Sequence, residues 1–253
     1  MNYEKLKEQW VKEENAAFQG WDFSRLDGRW DCPEPPWNYQ SIVKSYLKDD
    51  DMLLDMGTGG GEVLLSINHP YGNTYATEAY EPNFELCQRV LSPLGITVVQ
   101  TYNDDRLDKL PFEGEYFDFI INRHESFDLS EVNRTLKHGG YFFTQQVGNK
   151  NDLEFIQIFN KEHNLYSWHT IDNYADTLVK LGYQIIIKDE ARFPVKFFDI
   201  GALVYFAKII VWEFPDFSVE KCFDTLCECQ REIEKHGFLE GTGHGFILGA
   251  RKL

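Results

Sequence analysis

Short apolar runs alternate with amphipathic stretches along most of this 253-residue chain. Apolar runs of four to six residues bounded by turn residues predict strands. Stretches with apolar residues three and four positions apart predict helices between them. The predicted strands lie near residues 53–55, 74–78, 96–100, 116–121, 141–144, 183–188 and 246–251, and the predicted helices near residues 38–47, 81–91, 128–138, 152–163, 171–181 and 218–236. This alternation predicts an α/β fold with a mostly parallel sheet.

Both ends of the chain depart from the alternation. Residues 3–19 predict an amphipathic helix, and residues 20–39 are rich in aromatic side chains and proline, which is not typical of a solvated linker. Residues 199–212 are strongly apolar but too short and too interrupted to span a bilayer. The glycine-rich residues 240–245 predict a flexible turn before the last strand, residues 246–251.

A glycine-rich turn follows the first predicted strand of the sheet. Three glycines fall at alternate positions, Gly57, Gly59 and Gly61, and an apolar helix start follows them. Such a turn at the carboxyl end of a central strand is where open α/β sheets bind nucleotides. The P-loop is excluded because no G-K-[ST] follows, and Glu62 stands where the dinucleotide fingerprint requires glycine. Asp55 before the turn favours a ligand with a cationic ammonium group over a pyrophosphate.

The stretch from Leu53 to Glu62 resembles motif I of the class I S-adenosylmethionine-dependent methyltransferases, an apolar strand followed by D/E-x-G-x-G-x-G. The resemblance implies S-adenosylmethionine as cofactor. It assigns cofactor binding to six residues at and beyond this turn: Asp55, Gly57, Thr58, Gly59, Gly61 and Glu78. Glu78 ends the second strand, 21 residues after the first glycine, where a carboxylate can accept hydrogen bonds from both ribose hydroxyls.

Further family features follow in order over about residues 50–150. Asp104 or Asp105, just beyond the third strand, is implied near the adenine amino group. Leu110-Pro111-Phe112 and the later Phe117-Asp118 are similar to the "LPF…FD" lead into strand four, and Gly139-Gly140 to the turn into strand five. The resemblance implies a three-layer sandwich with a seven-stranded, mostly parallel sheet whose last strand is antiparallel.

The same resemblance gives the domain organisation. It implies a methyltransferase-like domain over residues 50–253, with an insertion at about residues 191–217 that either builds a substrate pocket or is a core helix with a surface turn. Residues 1–49 are then a helical and aromatic N-terminal extension. Its aromatic side chains either anchor it to the sheet or let it act as a lid, and both interpretations stay open here.

Polar side chains are concentrated after the fourth strand, in residues 122–128. Asn122 and Arg123 are expected to border the methionine part of the cofactor. His124 is the candidate general base, oriented by Glu125 or Asp128. In the alternative, Arg123 pairs with Glu125 and His124 makes a structural hydrogen bond. After the fifth strand, Gln145 and Gln146 either bind substrate or satisfy loop backbone groups.

Composition and charge limit the classes of substrate and binding partner that we expect. There are 25 basic and 41 acidic residues, a formal net charge of −16, and this field repels phosphate backbones. A nucleic-acid substrate is therefore disfavoured. The first residues lack the apolar core of a secretory leader and no run is long enough to span a membrane, so we expect a cytoplasmic protein with no membrane partner. The five cysteines predict reduced thiols, and their spacing predicts no metal site.

These observations predict an enzyme that transfers a methyl group from S-adenosylmethionine to a small molecule. The fold is also compatible with an RNA- or protein-modifying methyltransferase, or with a non-catalytic module that only binds the cofactor. A nicotinamide-dependent dehydrogenase is a third alternative, opposed by Asp55 and Glu62. The acceptor, the atom methylated and the oligomeric state are left open by the sequence.

Overall fold

The structure is a computed structural model that describes residues 3–18, 22–101, 109–160 and 167–253. The helices are α1 (Tyr3–Glu14), α2 (Tyr39–Tyr46), α3 (Glu62–Ile67), α4 (Glu81–Val90), α5 (Leu129–Thr135), α6 (Leu153–Phe159), α7 (Ile171–Lys180), α8 (Ile200–Ile209) and α9 (Val219–His236). The strands are β1 (Trp30–Asp31), β2 (Leu53–Met56), β3 (Thr74–Glu78), β4 (Thr97–Gln100), β5 (Phe117–Arg123), β6 (Leu136–Val147), β7 (Tyr183–Phe197) and β8 (Leu239–Lys252).

The strands are ordered β1-β7-β8-β6-β5-β2-β3-β4. Strands β4, β3, β2, β5 and β6 are parallel to one another, and β8 runs antiparallel to β6. The α/β class, the mostly parallel sheet and the antiparallel last strand are therefore confirmed. Among the described residues the sheet has eight strands where seven were predicted, because the two-residue β1 pairs antiparallel with the end of β7. Two residues carry no alternating pattern, so sequence periodicity gives no signal for this strand.

Chain contacts divide the protein into two compact units. The larger unit contains residues 36–148, 168–191 and 245–253, and the smaller contains residues 1–35, 149–167 and 192–244. The predicted boundaries, an extension over residues 1–49 and a domain over residues 50–253 with an insertion at about 191–217, stay predictions.

Helices cover both faces of the sheet in the larger unit. Successive strand residues point to opposite faces, so Leu53 and Leu54 enter different cores. Helices α2, α3 and α4 pack on the face that contains Leu53, and α5 and α7 pack on the face that contains Leu54. These two cores give the predicted three-layer arrangement.

The smaller unit has its own apolar core around α8. Asp199 caps the helix by accepting from the backbone N–H of Ala202 at 2.8 Å, and the first eight residues of α8 are buried. Phe23 and Trp30 pack against Phe206 of this helix, so these aromatic residues anchor the segment within the unit. In the part of the chain that the structure describes, no helix is long and apolar enough to cross a membrane.

The glycine-rich residues 240–245 are not a turn but part of β8, which corrects that prediction. Aromatic rings occupy the space that side chains at Gly241 and Gly243 would need. A Cβ at Gly241 would lie 2.5 Å from the ring of Phe155, and one at Gly243 would lie 2.2 Å from the ring of Phe193. Glycine here makes room for rings on one face of a strand, a role that sequence alone does not separate from a turn.

A buried pair of carboxyl groups lies inside the smaller unit. The side chains of Asp152 and Glu213 are 4% and 6% exposed. Burial raises the pKa of Asp152 to about 7. Burial, followed by the charge of Asp152, raises the pKa of Glu213 well above its ordinary value. The folded state therefore holds protons that the unfolded chain releases in mildly acidic solution.

This pair predicts a stability that falls as the pH rises from about 4 through about 7, because the folded state binds more protons than the unfolded state over that range. Glu213→Gln should raise the melting temperature at pH 8 by a few degrees and change it little at pH 5. The exposed Glu228→Gln is the matched control, and melting curves at both pH values measure the difference. A Glu213→Gln gain that is equal at both pH values would argue against a shared buried proton.

Candidate active site

The candidate site lies at the switch point of the parallel sheet. Strand β2 pairs with β3 on one side and with β5 on the other. The chain leaves β2 toward β3 and β4 and later returns to the opposite side through β5, so the loops after β2 and β5 diverge at their carboxyl ends. Crevices of this kind bind ligands in open α/β sheets.

The loop after β2 is built on left-handed backbone. Gly57, Gly59 and Gly61 have φ values of +69°, +62° and +87°, which only glycine adopts without cost. The backbone N–H groups of Gly57 and Thr58 both donate to the carbonyl of Thr77 in β3, at 3.1 and 3.0 Å. The predicted motif I residues are thus held as one loop against the neighbouring strand.

Asp55 is buried beneath this loop. Burial, and to a smaller extent the Glu78 charge, raises the pKa of Asp55 to about 6. The Thr58 hydroxyl and the Arg123 guanidinium oppose the rise. A carboxyl group in this environment is stabilised as an anion when a cation comes close.

Glu78 holds the loop through its carboxylate. Oε2 accepts from the backbone N–H of Gly59 at 2.9 Å, and Oε1 accepts from those of Ala79 and Tyr80, each at 2.9 Å. A carboxylate has about four acceptor positions, so these three bonds leave about one, on Oε2. The role of Glu78 in binding the ribose hydroxyls stays a prediction, and its Oε2 keeps an open acceptor position.

Asn122 ties the two loops together. It is fully buried, and its Nδ2 donates to the carbonyl of Met56 at 3.3 Å. Its Oδ1 accepts from the Thr144 hydroxyl at 3.1 Å and from Gln146 Nε2. Gln146 also donates to the carbonyl of Glu125 at 3.1 Å, so it satisfies loop backbone. These contacts fix where β5 ends relative to β2.

Arg123 and Glu125 do not pair with each other among the described residues. Arg123 is half-buried at the end of β5. Glu125 instead lies over the first glycine, because a Cβ at Gly57 would be 2.3 Å from its Cγ. Its Oε1 accepts from the backbone N–H and the hydroxyl of Ser126, both at 3.0 Å. Burial raises the pKa of the Glu125 carboxyl above its ordinary value.

His124 is oriented by a group that sequence reasoning did not select for this task. Neither proposed partner contacts it, since Glu125 turns to Ser126 and Asp128 caps α5 by accepting from the N–H of Ser130 at 2.7 Å. Gln145 Nε2 lies 3.2 Å from His124 Nε2 instead. The surrounding protein and then the Arg123 charge lower the pKa of His124 to about 3, although the residue as a whole is exposed to solvent. A ring this weakly basic is neutral at pH 7 and a poor general base there, while the base role stays a prediction.

A cleft of about 490 Å³ opens beside the first glycine of the loop. Gly57, Thr77 and Ala79 form one side, and residues 125–129 and the start of α7 form another. Trp168 and Tyr174 belong to its wall and were not predicted. The available sequence signal was the aromatic pair Trp168-His169 before α7. Such a pair does not distinguish a pocket wall from a side chain packed in the core.

Two predicted cofactor residues, Asp104 and Asp105, lie outside the described residues. The described ranges also contain no group of three or more His, Cys, Asp or Glu side chains that could hold a metal ion. The site therefore consists of the loop after β2, Glu78, and the polar residues at the end of β5.

A left-handed glycine loop beside an acidic strand end, in this strand order, defines a Rossmann-like nucleotide-binding fold. Comparison with known proteins makes the assignment specific. Residues 54–144 match the family model described as "Methyltransferase domain". The match covers the glycine-rich loop, Glu78 and the end of β5, and it makes residues 54–144 similar to a methyltransferase domain.

Solved structures agree on the fold. A putative methyltransferase from Bacillus halodurans superposes with a TM-score of 0.56 at 17% identity, covering 85% of this chain and 98% of that one. A geranyl diphosphate methyltransferase in complex with GPP and sinefungin gives 0.51 at 17% identity, covering 85% of this chain and 77% of the other.

One curated relative is "Ribosomal RNA small subunit methyltransferase G" of Lachnoclostridium phytofermentans. It is 31% identical over 117 residues, which are 43% of this chain. The chain covers 48% of that relative, about half of its length.

Proposed function

We propose that this protein transfers a methyl group from S-adenosylmethionine to a small molecule. When bound, S-adenosylmethionine would supply an electrophilic sulfonium methyl group, which an acceptor lone pair would take while the electrons of the carbon–sulfur bond stay on sulfur. The proton that the acceptor loses goes to solvent. The observation that carries the proposal is the left-handed loop Gly57–Gly61, held by Glu78 and underlain by Asp55 at the switch point.

The residues around the loop fit a cationic nucleoside ligand. Asp55 and Glu125 place two carboxyl groups next to Gly57, and burial raises the pKa of both. An ammonium or sulfonium group nearby offsets the cost of ionising them. The remaining acceptor position of Glu78 suits one ribose hydroxyl. Residues at the end of β5 then align the acceptor, which is the main contribution a protein makes to such a displacement.

The small-molecule acceptor rests on charge and size. A net charge of −16 opposes association with a polyanion. The cleft of about 490 Å³ lies in the range of small-ligand pockets, roughly 300–1,000 Å³. The structurally similar geranyl diphosphate methyltransferase acts, by its name, on a small molecule.

An RNA substrate is the second candidate, because the curated relative carries the name of a ribosomal RNA methyltransferase. Binding to RNA through phosphate contacts weakens steeply with salt. Filter binding of total ribosomal RNA at 50 and 200 mM salt measures this. Binding at 50 mM salt that weakens by about 10³-fold or more at 200 mM would favour RNA over a small molecule.

Parallel calorimetric titrations test the cofactor assignment. S-adenosylmethionine and S-adenosylhomocysteine should bind with micromolar affinity, and NAD should not bind. Detection of the first two would justify a screen of small metabolites as acceptors. Failure of both to bind would contradict the proposed activity.

The buried Asp55 predicts that cofactor affinity depends on pH. Its carboxyl is protonated below about pH 6, whereas an ammonium group prefers the carboxylate, so binding releases a proton there. Affinity for S-adenosylhomocysteine should therefore fall up to about ten-fold per unit as the pH drops from 6 to 5, and stay level above pH 7.

Two controls make this result specific to Asp55. Adenosine lacks the amino acid part, so its affinity should not follow the same pH profile. Asp55→Asn should weaken S-adenosylhomocysteine and flatten its profile. A profile that keeps its slope in Asp55→Asn would assign the titration to another group.

A further inference from the structure

A chain of hydrogen bonds joins Trp37, Gln145 and His124, and the donor and acceptor of each bond follow from the chemistry of the groups. Trp37 Nε1 donates to Gln145 Oε1 at 2.8 Å, and Gln145 Nε2 lies 3.2 Å from His124 Nε2. An indole N–H can only donate, so its partner must be the amide oxygen. The Trp37 contact therefore fixes which end of the Gln145 amide faces the histidine.

The same logic fixes the tautomer of His124. An amide NH₂ only donates, so His124 Nε2 must be the accepting, unprotonated nitrogen of the ring. The ring proton is then on Nδ1. A doubly protonated ring would set an N–H of His124 against an N–H of Gln145, which disfavours the cation. This agrees with the lowered pKa of His124, whose larger causes are burial and the Arg123 charge.

The backbone of His124 is held by the same partner. His124 has a φ of +60°, a left-handed conformation that is uncommon for a residue with a side chain. Its backbone N–H donates to the carbonyl of Gln145 at 2.9 Å. Gln145 thus binds the residue at its main chain and at its ring, directly after β5 ends. Strained conformations held in this way are concentrated at functional sites.

We propose that Trp37 and Gln145 are positioning residues that hold His124 as a fixed hydrogen-bond donor, and that its Nδ1–H binds an oxygen atom of the methyl acceptor. The proposal rests on the proposed function and refines it, because it selects acceptors with an oxygen lone pair near the methylated atom. Among the described residues no hydrogen bond occupies Nδ1. In this arrangement His124 orients the acceptor and does not remove its proton.

Nitrogen-15 NMR of the His124 ring tests the tautomer without any substrate. In the wild-type protein Nδ1 should carry the proton and Nε2 should not. Gln145→Glu replaces the donor with a carboxylate that accepts, so the proton should move to Nε2 and the pKa of the ring should rise. Trp37→Phe removes the indole donor and leaves the amide free to turn, so both tautomers should appear. Wild-type protein with the proton on Nε2 would overturn the proposal.

Matched variants separate this effect from general damage. Gln88→Glu changes a glutamine of α4 in the same way, and Trp10→Phe changes a buried tryptophan of α1. Neither should alter the His124 signals. A change in either control as large as that in Gln145→Glu or Trp37→Phe would make the tautomer a reporter of overall stability and would contradict a specific positioning role.

Acetate serves as a probe for the oxygen-binding donor. With S-adenosylhomocysteine saturating, acetate should shift the His124 Nδ1 signal in the wild-type protein and not in Gln145→Glu, and methylammonium should not shift it in the wild-type protein. No acetate-dependent shift in the wild-type protein would refute the donor role. Failure of S-adenosylhomocysteine to bind would instead refute the proposed function, so the two failures are distinguishable.

Discussion

Gly57→Ala should lower the affinity for S-adenosylmethionine by about 100-fold or more, the largest loss expected from a single methyl group in this protein. The left-handed φ of +69° alone costs alanine roughly 1–2 kcal/mol. The new Cβ would also lie 2.3 Å from Glu125 Cγ and 2.4 Å from Glu125 Cβ. Both atoms are near the backbone, so Glu125 cannot move aside by a simple rotation of its end.

Gly182→Ala is the matched control for this experiment. Gly182 has a φ of +90°, and nothing lies within 4 Å of an added Cβ. It should therefore show the cost of the backbone conformation without a steric clash, and its cofactor affinity should equal that of the wild type. Calorimetric titration measures affinity, and circular dichroism checks folding. Gly57→Ala binding within two-fold of the control would show that the loop does not approach the cofactor closely.

Glu78→Gln should lower cofactor affinity ten-fold or more and also lower the melting temperature by several degrees. The wild-type carboxylate accepts from the N–H groups of Gly59, Ala79 and Tyr80. The glutamine amide has one oxygen and one NH₂ group. Its NH₂ group must therefore point at a backbone N–H that the carboxylate accepted from, and this places two donors against each other. Each buried donor left without a partner costs about 1–3 kcal/mol.

The exposed Glu85→Gln in α4 makes the same chemical change at a carboxylate that pairs only loosely with the exposed Arg89, at 3.9 Å, and it should alter neither quantity. Titration calorimetry and thermal melts on the same samples separate the two roles of Glu78. A lowered melting temperature with unchanged affinity would leave Glu78 as a structural clasp of the loop and remove it from the ribose. Unchanged values in both measurements would contradict the hydrogen-bond pattern itself.

The sequence predicted the parts of this protein that local backbone constraints dictate. Gly57, Gly59 and Gly61 occupy left-handed positions that no other residue takes at low cost, so their spacing is readable without a structure. The buried β2 was predictable because a central parallel strand is largely apolar, and Glu78 was predictable from its position at the end of β3.

Hydrogen bonds between side chains that are far apart in the sequence could not be predicted from the sequence. Trp37 and Gln145 are 108 residues apart, and Gln145 could equally have bonded to loop backbone, as Gln146 does. The amide that orients His124 was therefore missed, while the nearer Glu125 and Asp128 were favoured. The prediction of a turn at the glycines of β8 was wrong for a related reason. The rings that require glycine there, those of Phe155 and Phe193, lie far away in the sequence.

The smaller unit has a consequence for how the protein is made. It combines residues from 3–35, 149–167 and 192–244, and its contacts include Glu14 accepting from the N–H of Val219 across 205 positions. Contacts this distant in sequence slow folding, because a long loop must close before they form. During synthesis Trp10 and the other apolar residues of α1 stay exposed to solvent until α9, which completes their core, has left the ribosome. Production at low temperature or with chaperones should therefore improve the soluble yield of the protein.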